Sequence, residues 1–188
     1  RFRGILDKLT KSEISKIVKQ LEGSALLKEN KAKDSIIGAF DGQKGVTAQL
    51  NIIYLEWQTE QIFRELYDRF MKLSVVQQRN YRYAVQTAMA HNQIIPTNPS
   101  EEFKIDIRIQ ELDQDGIGDE SATLVKKLVQ LEEKLNKYIE PRPSMALRLV
   151  KTDLKPALLG SVKDIKEYNL TDAATKERAS YIAMINIA

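Results

Sequence analysis

The sequence predicts a mainly α-helical protein, an elongated helical bundle around one long central helix with a short β element near residues 103–109. Three observations predict it. Residues 47–93 contain neither Gly nor Pro, and their apolar positions recur in steps of three and four. Further stretches with helical spacing lie on both sides, each bounded by a capping residue, Gly or Pro. Between them Phe103, Ile105, Ile107 and Ile109 alternate strictly with Lys104, Asp106 and Arg108. That is the period of a half-buried strand, and it needs a partner, such as Ala146–Val150, Tyr181–Ile187 or a neighbouring molecule.

The central stripe runs through Ile52, Leu55, Ile62, Leu66, Phe70, Leu73, Tyr81, Ala84 and Ala88, with Thr59 and Gln77 filling its gaps. Leu50, Ile53, Tyr54 and Trp57 form a second stripe in the first half only. The first half is therefore expected to be buried nearly all round, and the second on one side. Glu60, Glu65 and Asp68 each precede a base, Arg64, Arg69 and Lys72, by four residues, which supports a helix. Ser74-Val75-Val76-Gln77 has the form of a capping box and marks the alternative, a break near Leu73. One unbroken helix would be about 70 Å long. A compact domain of this size is roughly 30–35 Å across, so the chain is expected to be elongated or to pack on other copies.

Before this helix, Arg1 to Gly4 reads as a short arm, and Thr10-Lys11-Ser12-Glu13 as a capping box. Ile14, Ile17, Val18 and Leu21 line a helix ending near Gly23. Asn30 is placed to cap a second, with Ile36, Ile37 and Phe40 inward. Two short helices joined by the basic linker Leu26–Lys33 resemble the SAP type of DNA-binding helical pair, without its glycine turn. Gly38, Asp41-Gly42 and Gly45 mark a flexible turn into the central helix.

After it, Pro96 and Pro99 fix a loop. The expected strand follows, then a tight acidic turn, Asp113–Glu120. Ser121 is placed to cap a helix carrying Leu124, Val125, Leu128, Leu131, Leu135, Tyr138 and Ile139, stopped by Pro141 and Pro143. Ser144 caps a segment to Leu154, Pro156 starts or interrupts the next, and Thr171 caps the last helix. The end, Tyr181 to Ala188, is apolar and is expected to be docked.

The whole chain of 188 residues is read as a single domain, with segments 1–45, 47–93 and 94–188. It has no Cys, hence no disulfide or thiolate metal site, and no apolar run of membrane-span length. The first residues carry no signal-peptide core and no initiator Met, so residues are expected to have been cleaved or omitted, and the location is read as intracellular or virion. The net charge of +3 is uneven. Residues 1–46 hold ten Lys/Arg against six Asp/Glu, and residues 100–140 hold six against eleven. That asymmetry suits a polyanion partner, head-to-tail self-association, or plain solvated surface.

No chemical motif stands out. His91 is the only histidine and has no acidic neighbour in sequence, so it reads as a helix-end or core residue. A calcium loop starting at Asp113 would put Ile117 and Leu124 where oxygen ligands are needed. Phosphate-binding glycine loops, nucleophile elbows and dinucleotide fingerprints are missing. The remaining signal is basic. Arg1, Arg3, Lys8, Lys11, Lys16 and Lys19 near the start, with Arg64, Lys72, Arg79 and Arg82 on the central helix, form a candidate backbone-contacting track. Tyr83 is placed to stack on a base. The expected function is a non-enzymatic, self-associating structural protein that contacts nucleic acid without sequence preference, of nucleocapsid or filament-coat type. The alternatives are a helical adaptor docking on a protein partner, and an enzyme with an unrecognised site. No cofactor is expected.

Overall fold

The computed structural model describes residues 2–91, 95–135 and 140–188. Within them lie helices α1 (Phe2–Lys8), α2 (Ser15–Ser24), α3 (Glu29–Ala90), α4 (Glu101–Lys134), α5 (Arg142–Leu149), α6 (Lys155–Lys166) and α7 (Leu170–Ile187). Two π-helical stretches, Leu9–Ile14 and Val150–Leu154, join α1 to α2 and α5 to α6. The chain divides into two compact units, one ending at Ile62 and one running from Phe63 to Ala188, and α3 belongs to both. There is no strand among the described residues.

In the first unit, α2 lies antiparallel to the start of α3, because Ile17 meets Gly42 while Gln20 meets Gly38 and Ser35. The glycines expected to form a turn are helical instead. At Gly42 the reason is close approach, since a Cβ there would stand 2.9 Å from Cγ1 of Ile17; Gly45 meets nothing within 4 Å. Asn30 therefore caps nothing, since α3 begins at Glu29 and runs on for 62 residues. Nor does Thr10 cap: its hydroxyl donates to the Leu6 carbonyl at 2.8 Å inside a continuing helical run. The first half of the central stripe is not buried all round. Leu50, Ile52, Tyr54, Leu55 and Trp57 are all exposed, and Leu9, Ala39 and Val46 are the buried apolar groups of this unit among the described residues.

The second unit is a helical bundle. The later half of the α3 stripe is buried as its spacing requires, through Leu66, Phe70, Leu73, Gln77, Ala84 and Ala88. Ser74 starts no new helix; its hydroxyl donates to the Met71 carbonyl. The helix closes at Ala90, and the expected end at Gln93 lies outside the described residues, as do Tyr138 and Ile139.

The expected strand at 103–109 is the first part of α4, and the expected acidic turn is its middle. Ser100 caps α4, its hydroxyl accepting the Phe103 N–H at 3.2 Å, and Glu101 and Glu102 sit in the first turn. Phe103 and Ile107 are buried, whereas Ile105 and Ile109 face outward. The buried stripe continues at Gln110, Gln114, Ile117, Ser121, Leu124, Leu128 and Leu131, a sustained heptad spacing. Gly116 and Gly118 are tolerated because they lie off that stripe, at about 1 kcal/mol each relative to Ala. Ser121 is thus an interior residue and not a cap.

Pro141 takes the cap position of α5, and the Ser144 hydroxyl donates to Glu132 at 2.6 Å. Pro156 falls in the first turn of α6, directly after the π-helical stretch, and interrupts rather than starts the helical run. Asn169, two residues before Thr171, caps α7 by accepting the Asp172 N–H. Between α6 and α7 the chain turns through Tyr168 at φ 61°. The Asn169 N–H reaches the Asp164 carbonyl at 2.8 Å and the Tyr168 N–H reaches Ile165 at 3.0 Å, the Schellman pattern. Near the C-terminus Ala183 and Met184 are buried, while Ile182 and Ile185 are exposed.

Leu66 is 3% exposed and Ile52 is 57% exposed. Leu66→Ala should therefore lose roughly 2–5 kcal/mol in urea unfolding, whereas Ile52→Ala should stay within about 0.5 kcal/mol. Equal losses would contradict this division of the helix.

Candidate functional site

The basic residues fall into two sets. Arg3, Lys8, Lys11, Lys16 and Lys19 belong to the first unit and are exposed; Arg1 lies outside the described residues. Arg64, Lys72, Arg79 and Arg82 are exposed on the second-unit part of α3. At 100° per residue they fall within about 80° of one another, on the side opposite the buried stripe. Tyr83 is half-buried and its hydroxyl donates to Asp106 at 2.8 Å, so its polar end is committed to α4. Burial, then the Asp106 hydrogen bond, raises the Tyr83 hydroxyl above its ordinary range. Arg69, omitted from the candidate set, joins acids on two helices: its guanidinium donates to Glu120 at 2.6 Å and to Glu65 at 3.3 Å, and Lys127 also pairs with Glu65.

The first unit presents a second kind of surface. On α3, Ile36, Phe40, Gln43, Thr47, Leu50, Tyr54 and Trp57 are exposed and spaced alternately four and three residues apart. None of the seven is charged. Lys44 sits over the Phe40 ring, Nζ 4.4 Å from its centre, and Tyr54 stacks on Trp57 at 6.3 Å. Ile14, at the end of the first π-helical stretch, and Val18 and Leu21 on α2 are exposed with the same spacing. Each strip is turned about 90° from the side on which α2 and α3 touch. Because the two helices are antiparallel, both turns lead to the same side of the hairpin. That side is one apolar surface, with Val18 near the level of Phe40 and Leu21 near that of Ile36.

Inside the second unit, α3, α4 and α7 meet at a layer of amides and one acid. Gln77 and Gln114 exchange hydrogen bonds at 3.1 and 3.3 Å. The Asn80 amide donates to Gln114 at 2.7 Å and to Glu177 Oε1 at 3.2 Å. Gln110 donates to the same Glu177 oxygen at 2.7 Å and to the Asn80 carbonyl. Glu177 is 0% exposed. Its other oxygen, Oε2, has no partner, and neither do Asn80 Oδ1 and Gln110 Oε1. Burial raises the carboxyl to about 7, with the Gln110 bond opposing. No charged side chain contributes: α3 and α4 present amides to it, and the neighbouring Lys176 on α7 is paired with Asp164 of α6 at 2.5 Å. A neutral Glu177 would turn one of these unpartnered acceptors into a donor.

His91 packs edge-on against Phe103, ring centres 4.4 Å apart. The stretch read as an incomplete calcium loop is helical, and no group of three or more His, Asp or Glu among the described residues is placed to hold a metal. No described helix is long and apolar enough to cross a membrane. Sequence reasoning missed both the apolar side of the hairpin and the Glu177 layer. The heptad spacing from Ile36 to Trp57 was the available signal for the first; nothing local signals the second. Comparison with protein-family models, curated proteins and solved structures found no match.

The sign of the Glu177 contribution follows from its raised value. Its stabilisation is complete below its ordinary value of 4.5 and is lost as pH rises through about 7. Glu65, Glu111 and Glu140 are shifted the other way, by Lys127, Arg108 and Arg142 respectively, and lose their contribution in acid. Unfolding stability should therefore peak between about pH 4.5 and 6 and fall by on the order of 3 kcal/mol toward pH 8. Glu177→Gln, which keeps a donor at the same place, should flatten that alkaline fall. The same fall in both proteins would assign it to another group.

Proposed function

We propose that the protein is a non-enzymatic assembly component of nucleocapsid or filament-coat type. It self-associates through the apolar side of its first unit and lays the exposed arginines of its second along a nucleic-acid backbone. The observation that carries this reading is the uncharged heptad strip from Ile36 to Trp57, left in water by the isolated chain. Contiguous apolar surface of that kind marks an interface in soluble proteins. The polyanion half of the reading is supported by Arg64, Lys72, Arg79 and Arg82, exposed together on one side of α3. Contacts of this type position a protein on phosphates and carry no base information.

Binding to random-sequence nucleic acid should weaken steeply with salt, and light scattering should show mass rising with protein concentration. Replacing Arg79 and Arg82 together by Gln should make the log–log salt slope shallower by about 1.4–1.8 for two lost phosphate contacts, with the helical content unchanged. A protein that remains monomeric when concentrated and ignores nucleic acid at low salt would displace this reading in favour of an adaptor whose apolar side receives a helix of another protein.

A further inference from the structure

We infer that the α2–α3 hairpin of the first unit is half of a four-helix bundle, completed by the same hairpin of a second copy, with the two α3 helices antiparallel and crossing near residue 45. This rests on the self-association reading and specifies its surface, occupant and register.

A pair of helices has one contact seam and cannot enclose a core; a second layer is needed to bury the outward apolar strips. The hairpin supplies two such strips on one side, Ile14 with Val18 and Leu21 along α2 and the residue before it, and the heptad strip on α3. Eight apolar or aromatic side chains on that side are each 40–55% exposed. Taking about 150 Å² for each, the low end for an aromatic side chain, they offer roughly 600 Å² per chain. A stable interface removes about 800 Å² per partner. The strips thus supply most of that area, and the charges beside them, Lys44 over the Phe40 ring and Lys33 one step before Ile36, are exposed and stand at the rim.

The register follows from the two polar positions. Gln43 and Thr47 are neighbours in the α3 seam, with apolar residues beyond them on both sides. An antiparallel two-fold crossing near residue 45 sets Gln43 against Thr47 of the second copy, where amide and hydroxyl can bond. The same crossing sets Phe40 against Leu50 and Ile36 against Tyr54, so like meets like at these three levels, while Trp57 at the outer end falls against the stem of Lys33. A parallel in-register pair would instead stack Gln43 on itself and Phe40 on itself. A heterologous partner would have to reproduce this pattern, whereas a second copy carries it, and two-fold homodimers are the commonest closed assembly.

The chain has no cysteine, so introduced thiols report without background. The full chain is prepared as two single variants, Gln43→Cys and Thr47→Cys, and oxidised mildly, separately and mixed. The antiparallel register expects cross-linked dimer chiefly in the mixture, because like positions would stand beyond the roughly 7 Å Cα separation a disulfide tolerates. In parallel, Phe40→Asp should weaken dimerisation by roughly 30-fold or more, the scale of a central interface residue, while circular dichroism stays unchanged because Phe40 is already half-exposed in the single chain. Dimers by light scattering with cross-links between like positions, or with none, would overturn this interface and leave self-association standing. A chain that stays monomeric throughout would overturn both.

Discussion

Helices α3 and α4 have one alignment that satisfies Gln77, Asn80, Gln110 and Gln114 together. Gln77 opposes Gln114 and Asn80 opposes Gln110, so the two helices run antiparallel with matched heptads. A slip of one heptad would set Gln77 against Ile107 or Ser121, and Asn80 against Phe103 or Ile117. Each buried amide left unpaired by such a slip costs about 1–3 kcal/mol. Apolar heptads alone would tolerate the slip far better, since one Leu replaces another. The polar layer therefore selects the register, and the register decides which face of α4 receives α7 and α6. Its acid is the least comfortable member, since burial raises its carboxyl to about 7.

The first unit is built under the opposite condition. Its internal contact depends on Gly42, which lets Ile17 of α2 come close to α3, beside the buried Ala39. Close approach makes a thin hairpin and turns the large side chains outward. The exposed Phe40, Tyr54 and Trp57 are thus a direct result of how the hairpin closes.

These two arrangements also explain what the sequence disclosed. The later half of α3 was legible because Leu66, Phe70 and Leu73 are apolar at successive stripe positions. The start of α4 was not, because its stripe passes through Gln110, Gln114 and Ser121, while the outward Ile105 and Ile109 imitate a strand's alternation. A polar residue that is buried because another helix brings it a partner cannot be told from a solvated one by spacing. Gly42 misled for a related reason: glycine usually ends a helix, and here it serves a contact whose other half, Ile17, lies on α2. The exposed bases were legible, since Lys and Arg rarely leave the surface. Glu177 was not, because its burial is a property of three helices together.

Trp57 is the chain's single tryptophan, and it sits half-exposed in the apolar strip of the first unit, stacked on Tyr54. Its indole is therefore a built-in optical probe of that strip. Covering the strip would dry the ring and move its emission toward the blue. Loosening of the Glu177 layer at alkaline pH would leave the emission alone, since that layer contains no indole. One fluorescence channel thus separates events in the two units.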